Sequence, residues 1–168
     1  SSSLSGDGKT LVTVEHGKLN QYSGRPEGDA TVTIRTVDTG AKLHEFKSEQ
    51  AVTSSSLSGD GKTLVTVEHD KPIYESDVKA TVTVRNVGTG DKLQEFKHDK
   101  AVTSLSLSGD GKAVLYCSGH RAYFRIGGMD TDHWASALLE FGEAIKSVHF
   151  ANDDRDLLIT LSKTTIVF

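Results

Sequence analysis

Ser56-Leu57-Ser58-Gly59-Asp60-Gly61-Lys62 is written three times in this chain, earlier as Ser3 to Lys9 and later as Ser106 to Lys112. A looser fourth version runs from His149 to Arg155. The starts of the three close copies lie 53 and then 50 residues apart. A period in that range means stacked supersecondary units rather than one irregular domain. Inside each copy the Asp-Gly pair supplies the positive φ that a short hairpin connection demands. Each copy is therefore the end of one strand, a tight turn and the start of the next.

Working outward from the second copy, Ala51–Ser58 reads as a first strand and Thr63–Val67 as a second. A polar loop, Glu68 to Lys79, follows. Ala80–Val87 alternates apolar and polar residues as a half-buried strand does. Gly88-Thr89-Gly90-Asp91 turns the chain, and Lys92–Phe96 makes a shorter outer strand. The first unit follows the same order, and Ser1 to His16 is identical to Ser54 to His69 at all 16 positions. The third unit keeps the first strand and the turn, then diverges. Ser118-Gly119-His120 replaces the long loop, and an irregular stretch runs from Gly127 to Leu139. Within it Asp132–Leu139 is read as a helical turn, because Trp134, Leu138 and Phe141 recur at near-helical spacing. A last unit begins at Ala144.

A four-stranded antiparallel meander at this period is a β-propeller blade. The strand and turn Ala101–Lys112, with Thr83–Gly90, resemble the WD-repeat family. That resemblance implies an all-β propeller segment of about three and a half blades, at approximately 1–50, 51–100 and 101–143, with a partial blade at 144–168. The Trp-Asp pair of that family is replaced by Arg35-Thr36 and Arg85-Asn86. Its Gly-His pair corresponds to Lys97-His98 once, and Ser48-Glu49 stands there in the other copy. The family's buried tetrad is thus expected to be absent, leaving apolar packing between blades to hold the arc.

Composition narrows the function. The 168 residues carry a formal charge of −4 and 25% charged residues, without the Lys/Arg clustering of a nucleic-acid surface. No apolar run approaches the roughly 20 residues of a membrane span. The one cysteine, Cys117, lies in an apolar strand pattern and reads as a buried, inert thiol. With no disulfide framework and no visible signal peptide, the expected compartment is the cytoplasm. The chain opens mid-strand at Ser1-Ser2-Ser3-Leu4 and stops at Thr164–Phe168. Both ends therefore read as cut, and the rest of its own chain or a second copy is expected to close the propeller. Leu157, Ile159, Ile166 and Phe168 are expected to lie bare on the open end.

No catalytic constellation emerges, and the chain is expected not to be an enzyme. His16 and His69 end equivalent strands, but no zinc spacing accompanies them, so they read as surface or strand-end residues and no metal or other cofactor is expected. The Ser58–Lys62 turn differs from the Ser-x-Asp-x-Gly box of sialidase-like propellers. The favoured reading is a protein–protein interaction scaffold. The alternatives are a structural subunit of a large complex and, behind it, a propeller enzyme of glycosidase or quinone-dehydrogenase type. The binding surface is expected on the rim made by Gly17–Asp29, Asp70–Lys79 and the interblade turns Ser48–Gln50 and His98–Lys100. Its candidate contact residues are Tyr22, Arg25, Glu27, Tyr74, Glu75, His98 and Lys100, aromatic and charged groups on loops of a rigid scaffold.

Overall fold

The Asp-Gly turns fix where every blade reverses. In the second copy Ser58 Oγ donates to Asp60 Oδ1 at 2.7 Å, and that oxygen accepts the Lys62 amide at 3.0 Å. Ser58 Oγ in turn accepts the Thr63 amide at 2.9 Å. Gly61 completes the turn at φ 70°, matched by Gly8 at 70° and Gly111 at 71°. The side chains thus satisfy the backbone groups that a hairpin end leaves over.

The structure, a computed structural model, describes residues 2–19, 21–22, 26–70, 77–127, 134–151 and 154–168, without the side chains of 18, 19 and 26–28. Four antiparallel sheets follow in chain order. The first holds β1 (Ser2–Leu4), β2 (Thr10–Leu19), β3 (Pro26–Thr36) and β4 (Lys42–Ser48). The second holds β5 (Ala51–Leu57), β6 (Thr63–His69), β7 (Ala80–Asn86) and β8 (Lys92–His98). The third holds β9 (Ser104–Leu107), β10 (Ala113–Ser118), β11 (Arg121–Ile126) and β12 (Ala135–Glu140). The last holds β13 (Ser147–Ala151), β14 (Asp156–Thr160) and β15 (Thr165–Val167). Each is a meander with strands in sequence order, and the first strands of successive sheets lie beside one another. The chain is a segment of a β-propeller.

Period-two alternation decides how the blades pack. Both faces of an inner blade are buried, so the residues of one strand serve two neighbours. Leu64 joins Val12, Val32 and Ile34 in the seam between the first two blades. The next residue, Val65, turns the other way and joins Val82, Val84, Val114 and Tyr116 in the second seam. In the third, Leu115 and Cys117 meet Ile145, Val148 and Ile159. Each buried Val or Leu contributes about 1.5–3 kcal/mol, and this apolar packing holds blade to blade.

Polar staples cross the same seams. The Asp7 amide donates to Gly59 O at 2.9 Å and the Asp60 amide to Gly109 O at 3.4 Å, so successive Asp-Gly turns stack. In the degenerate last blade the Asp154 carboxylate substitutes, accepting the Gly109 amide at 2.6 Å. Arg85 lays its guanidinium over the Phe46 ring of the preceding blade at 4.2 Å. Arg125 does the same over Phe96 at 4.9 Å.

Four expectations are corrected. Of the stretch read as a helical turn, Ala135–Leu139 is β12, paired residue by residue with β11. The helical spacing there is coincidental, because the open ladder edge of β11 supplies backbone partners that a single helical turn lacks, and Trp134 packs edge-on against Phe96 at 5.9 Å. The stretch Gly17–Asp29 is not simply a loop: β2 and β3 run on to pair Lys18 with Glu27 and Leu19 with Pro26, past a register shift between His16 and Lys18. Third, Leu157, Ile159 and Ile166 are not bare, since alternation turns them toward the third blade and Ile159 is fully buried. Phe168 is 52% exposed and leans on Phe141 at 6.5 Å. The uncovered outer faces carry Leu4, Glu15 and Arg35 on the first blade and His149, Thr165 and Val167 on the last. Fourth, His69 is a strand-end residue but not a surface one. It is buried, its Nδ1 bonded to Thr53 Oγ1 at 2.8 Å and its Nε2 accepting the Val102 amide at 3.1 Å.

Candidate functional site

Antiparallel order puts the Asp-Gly turns at one edge of the arc and the interblade turns at the other, together with the connections from second to third strand. On this second edge, between the second and third blades, lies a cleft of about 320 Å³. Lys97, His98, Asp99 and Lys100 form one wall, where β8 ends and the chain crosses to the next blade. Ser118, Gly119, His120 and Arg121 form the other, with Tyr123 between them. That wall is low because the connection from β10 to β11 is a two-residue turn, made possible by Gly119 at φ 61°.

Aromatic rings back the cleft. Tyr116 and Tyr123 are cross-strand partners and stack at 5.2 Å, with 10° between their planes. His98 meets both edge-on, at 5.0 Å and 4.8 Å. Arg125 Nε donates to Tyr116 Oη at 3.3 Å. Tyr116 Oη is also hydrogen-bonded to His98 Nε2 at 2.8 Å. Burial holds the His98 pKa below the ordinary imidazole value, and the Arg125 charge pushes the same way, against Asp99. Burial also raises the Tyr116 phenol, while its bond to Arg125 opposes the rise.

The charges of the cleft are partly engaged. His120 Nε2 and Arg121 Nη2 share Glu140 Oε1, at 3.2 Å and 3.4 Å. Lys97 reaches Glu95 at 3.5 Å.

Of the residues singled out in the sequence, His98 and Lys100 come together in this cleft. Tyr22 is 90% exposed beyond the end of β2 and is not among the lining residues. Glu27 lies in β3, where its backbone pairs with Lys18, and its side chain is outside the described residues. Arg25, Tyr74 and Glu75 also fall outside them. Sequence reasoning missed His120, Arg121 and Tyr123. The signal was the shortened Ser118-Gly119-His120 turn, since removing a long connection uncovers the seam beneath it.

Other ionisable groups are tied into seams. His16 Nε2 donates to Val52 O and His44 Nε2 to Gly88 O, both at 2.8 Å. On the innermost strands Ser104 and Ser106 accept the amides of Val148 and Phe150, each at 3.1 Å. Among the described residues no group of three or more His, Cys, Asp or Glu is placed to hold a metal ion.

No protein-family model matches the sequence. No curated protein matches it either. Solved structures do match its fold. Hydrazine synthase of Kuenenia stuttgartiensis superposes with a TM-score of 0.66 over 99% of this chain and 57% of that one, at 15% identity. The Dos1 propeller superposes with a TM-score of 0.70 over 99% of this chain and 39% of that one, at 11% identity. At such identities the likeness is one of fold. The chain spans little more than half the length of the first and well under half of the second.

Proposed function

We propose that this chain is a non-catalytic interaction scaffold of the WD-repeat-like kind, which meets a protein partner with the rim that carries the interblade turns. The observation that carries this reading is the cleft at the second seam, where His98 and Lys100 line an opening backed by stacked tyrosines. Aromatic and cationic groups on a rigid frame are the usual makings of a contact surface, because they bury much area for little loss of rotamer freedom. The opposite edge offers Asp-Gly turns whose polar groups are consumed by their own backbone.

The test is site-specific photo-crosslinking in extract from the protein's own source. A photoreactive residue at Lys100, Tyr22 or Tyr74 is expected to give protein adducts, and one at Lys62 is not. Adducts at Lys62 alone would overturn the reading. With the partner in hand, Arg25→Ala or Tyr74→Ala is expected to weaken binding by about 1–2 kcal/mol with little change in Tm.

A further inference from the structure

The cleft's first wall has a copy inside the same chain. Lys42–Gln50 and Lys92–Lys100 differ only at His44/Gln94, Ser48/His98, Glu49/Asp99 and Gln50/Lys100. The last three positions of the second copy line the cleft. Strand register makes the other wall comparable too. Leu57 pairs with Leu64 as Leu107 pairs with Val114, so Glu68 in β6 stands where Ser118 stands in β10. Likewise Thr66 and Thr83 stand where Tyr116 and Tyr123 stand.

The two seams use these places differently. In the first, Ser48 Oγ donates to Glu68 Oε2 at 2.8 Å and accepts the Gln50 amide at 3.1 Å. A carboxylate of the chain itself thus engages the interblade turn. In the second seam that carboxylate is gone, replaced by the short Ser118 side chain, and Gln50 has become Lys100. What stands around the opening, beside the Asp99 carboxylate, is a set of donors: the Ser118 hydroxyl, the Lys100 ammonium and the Arg121 guanidinium.

We infer that the second seam takes from a partner the carboxylate that the first seam supplies from its own chain: the cleft is a docking site for an aspartate or glutamate side chain on an extended protein segment. The inference rests on the scaffold reading for its partner and on the comparison of seams for its chemistry. Lys100 and Arg121 provide the charge, with guanidinium donors left over beyond those held by Glu140. Tyr123 and the His98 ring give the flanking segment an aromatic edge. A cleft of about 320 Å³ has room for a side chain and the backbone on either side of it.

The experiment uses the whole chain and a fluorescein-labelled glutamate-rich peptide, with its glutamine counterpart as control, read by fluorescence anisotropy. The glutamate peptide is expected to bind at least about tenfold more tightly than the glutamine peptide, and less tightly as salt rises. Lys100→Glu and Arg121→Gln should each cost about tenfold, and Lys62→Glu on the opposite edge nothing. The decisive variant is Ser118→Glu, which restores the internal carboxylate. It should abolish peptide binding with Tm unchanged or raised.

Binding by Ser118→Glu equal to that of the parent, or equal binding of the two peptides, would overturn the inference. So would displacement by free acetate at the same carboxylate concentration as the peptide, since the cleft would then take any small acid. Protein adducts at Lys100 alongside any of these failures would sink the acidic-segment inference and leave the scaffold standing. Adducts at Lys62 alone would sink the scaffold whatever the peptide does.

Discussion

His16 and His69 close identical 16-residue stretches, yet their imidazoles do opposite work. His16 donates from Nε2 to a carbonyl, whereas His69 accepts at Nε2 from the Val102 amide and so carries its proton on Nδ1, toward Thr53. A second proton on His69 would face that amide with another N–H. Burial also disfavours the charged ring and holds its pKa below the ordinary value, although Asp70 pulls the other way. The folded state therefore prefers neutral His69. Its contribution is complete above the unfolded pKa of about 6.5 and is lost as pH falls from there through the lowered folded value. His98 shifts the same way, through burial and then Arg125, and adds to the same window. Urea midpoints should fall between about pH 7.5 and pH 5, and His69→Gln should flatten part of that slope. His69→Ala should cost about 1–3 kcal/mol at neutral pH by stranding the Val102 amide. Asp60 titrates in a separate range. Burial would raise its pKa, but the bonds from Ser58 and the Lys62 amide prevail and hold it below 3.8. The identity of the two stretches was plain in the sequence. The difference between the histidines was not, because it depends on what the following blade brings against each ring.

The turn is the element that announced the fold, and its two glycines have separate reasons to be glycine. The second was legible, since a hairpin of this length needs positive φ. The first was visible but unexplained until the turns were seen to stack: a Cβ on Gly59 would stand 3.0 Å from Gly109 O and 3.3 Å from its Cα, with only backbone to give way. Gly8 and Gly111 share their φ but not their surroundings. A Cβ at Gly8 meets nothing within 4 Å, whereas one at Gly111 would lie 2.5 Å from Thr63 Oγ1. Gly8→Ala should cost only the conformational penalty of about 1–2 kcal/mol, and Gly111→Ala about 1–3 kcal/mol more. Equal losses for the two variants in denaturant melts would show that the turns do not stack. The one element read with the wrong period is β12, which pairs with β11 along its length. A lone outer strand has little periodicity of its own, and its partner β11 decides its form.

For the arc as a whole the strand pattern was legible because both faces of an inner blade are apolar. The partners across each seam were not. Nothing in the sequence pairs Arg85 with Phe46, which lie in different repeats. A double-mutant cycle of Arg85→Met and Phe46→Leu should return a coupling of about 0.5–2 kcal/mol, read from urea midpoints. Additive effects would mean that the stack contributes nothing beyond packing. The cleft was half legible. His98 and Lys100 stood out on an interblade turn, whereas Arg121 and Tyr123 sit inside a strand and come to the opening only through the register of β10 against β11.

That stacked guanidinium also gives the blade a direction. In both seams that have it, the later blade brings the arginine and the earlier one the phenylalanine, and the turn amides likewise donate from the earlier blade to the later. A blade therefore has a head and a tail that match each other and not themselves. Two copies set head to head would oppose Arg35 to Arg35, so an isologous dimer through that face cannot reproduce the seam. Any self-association that extends the arc must be heterologous. Such a contact ends in a closed ring if the accumulated rotation comes full circle, and in an open filament if it does not.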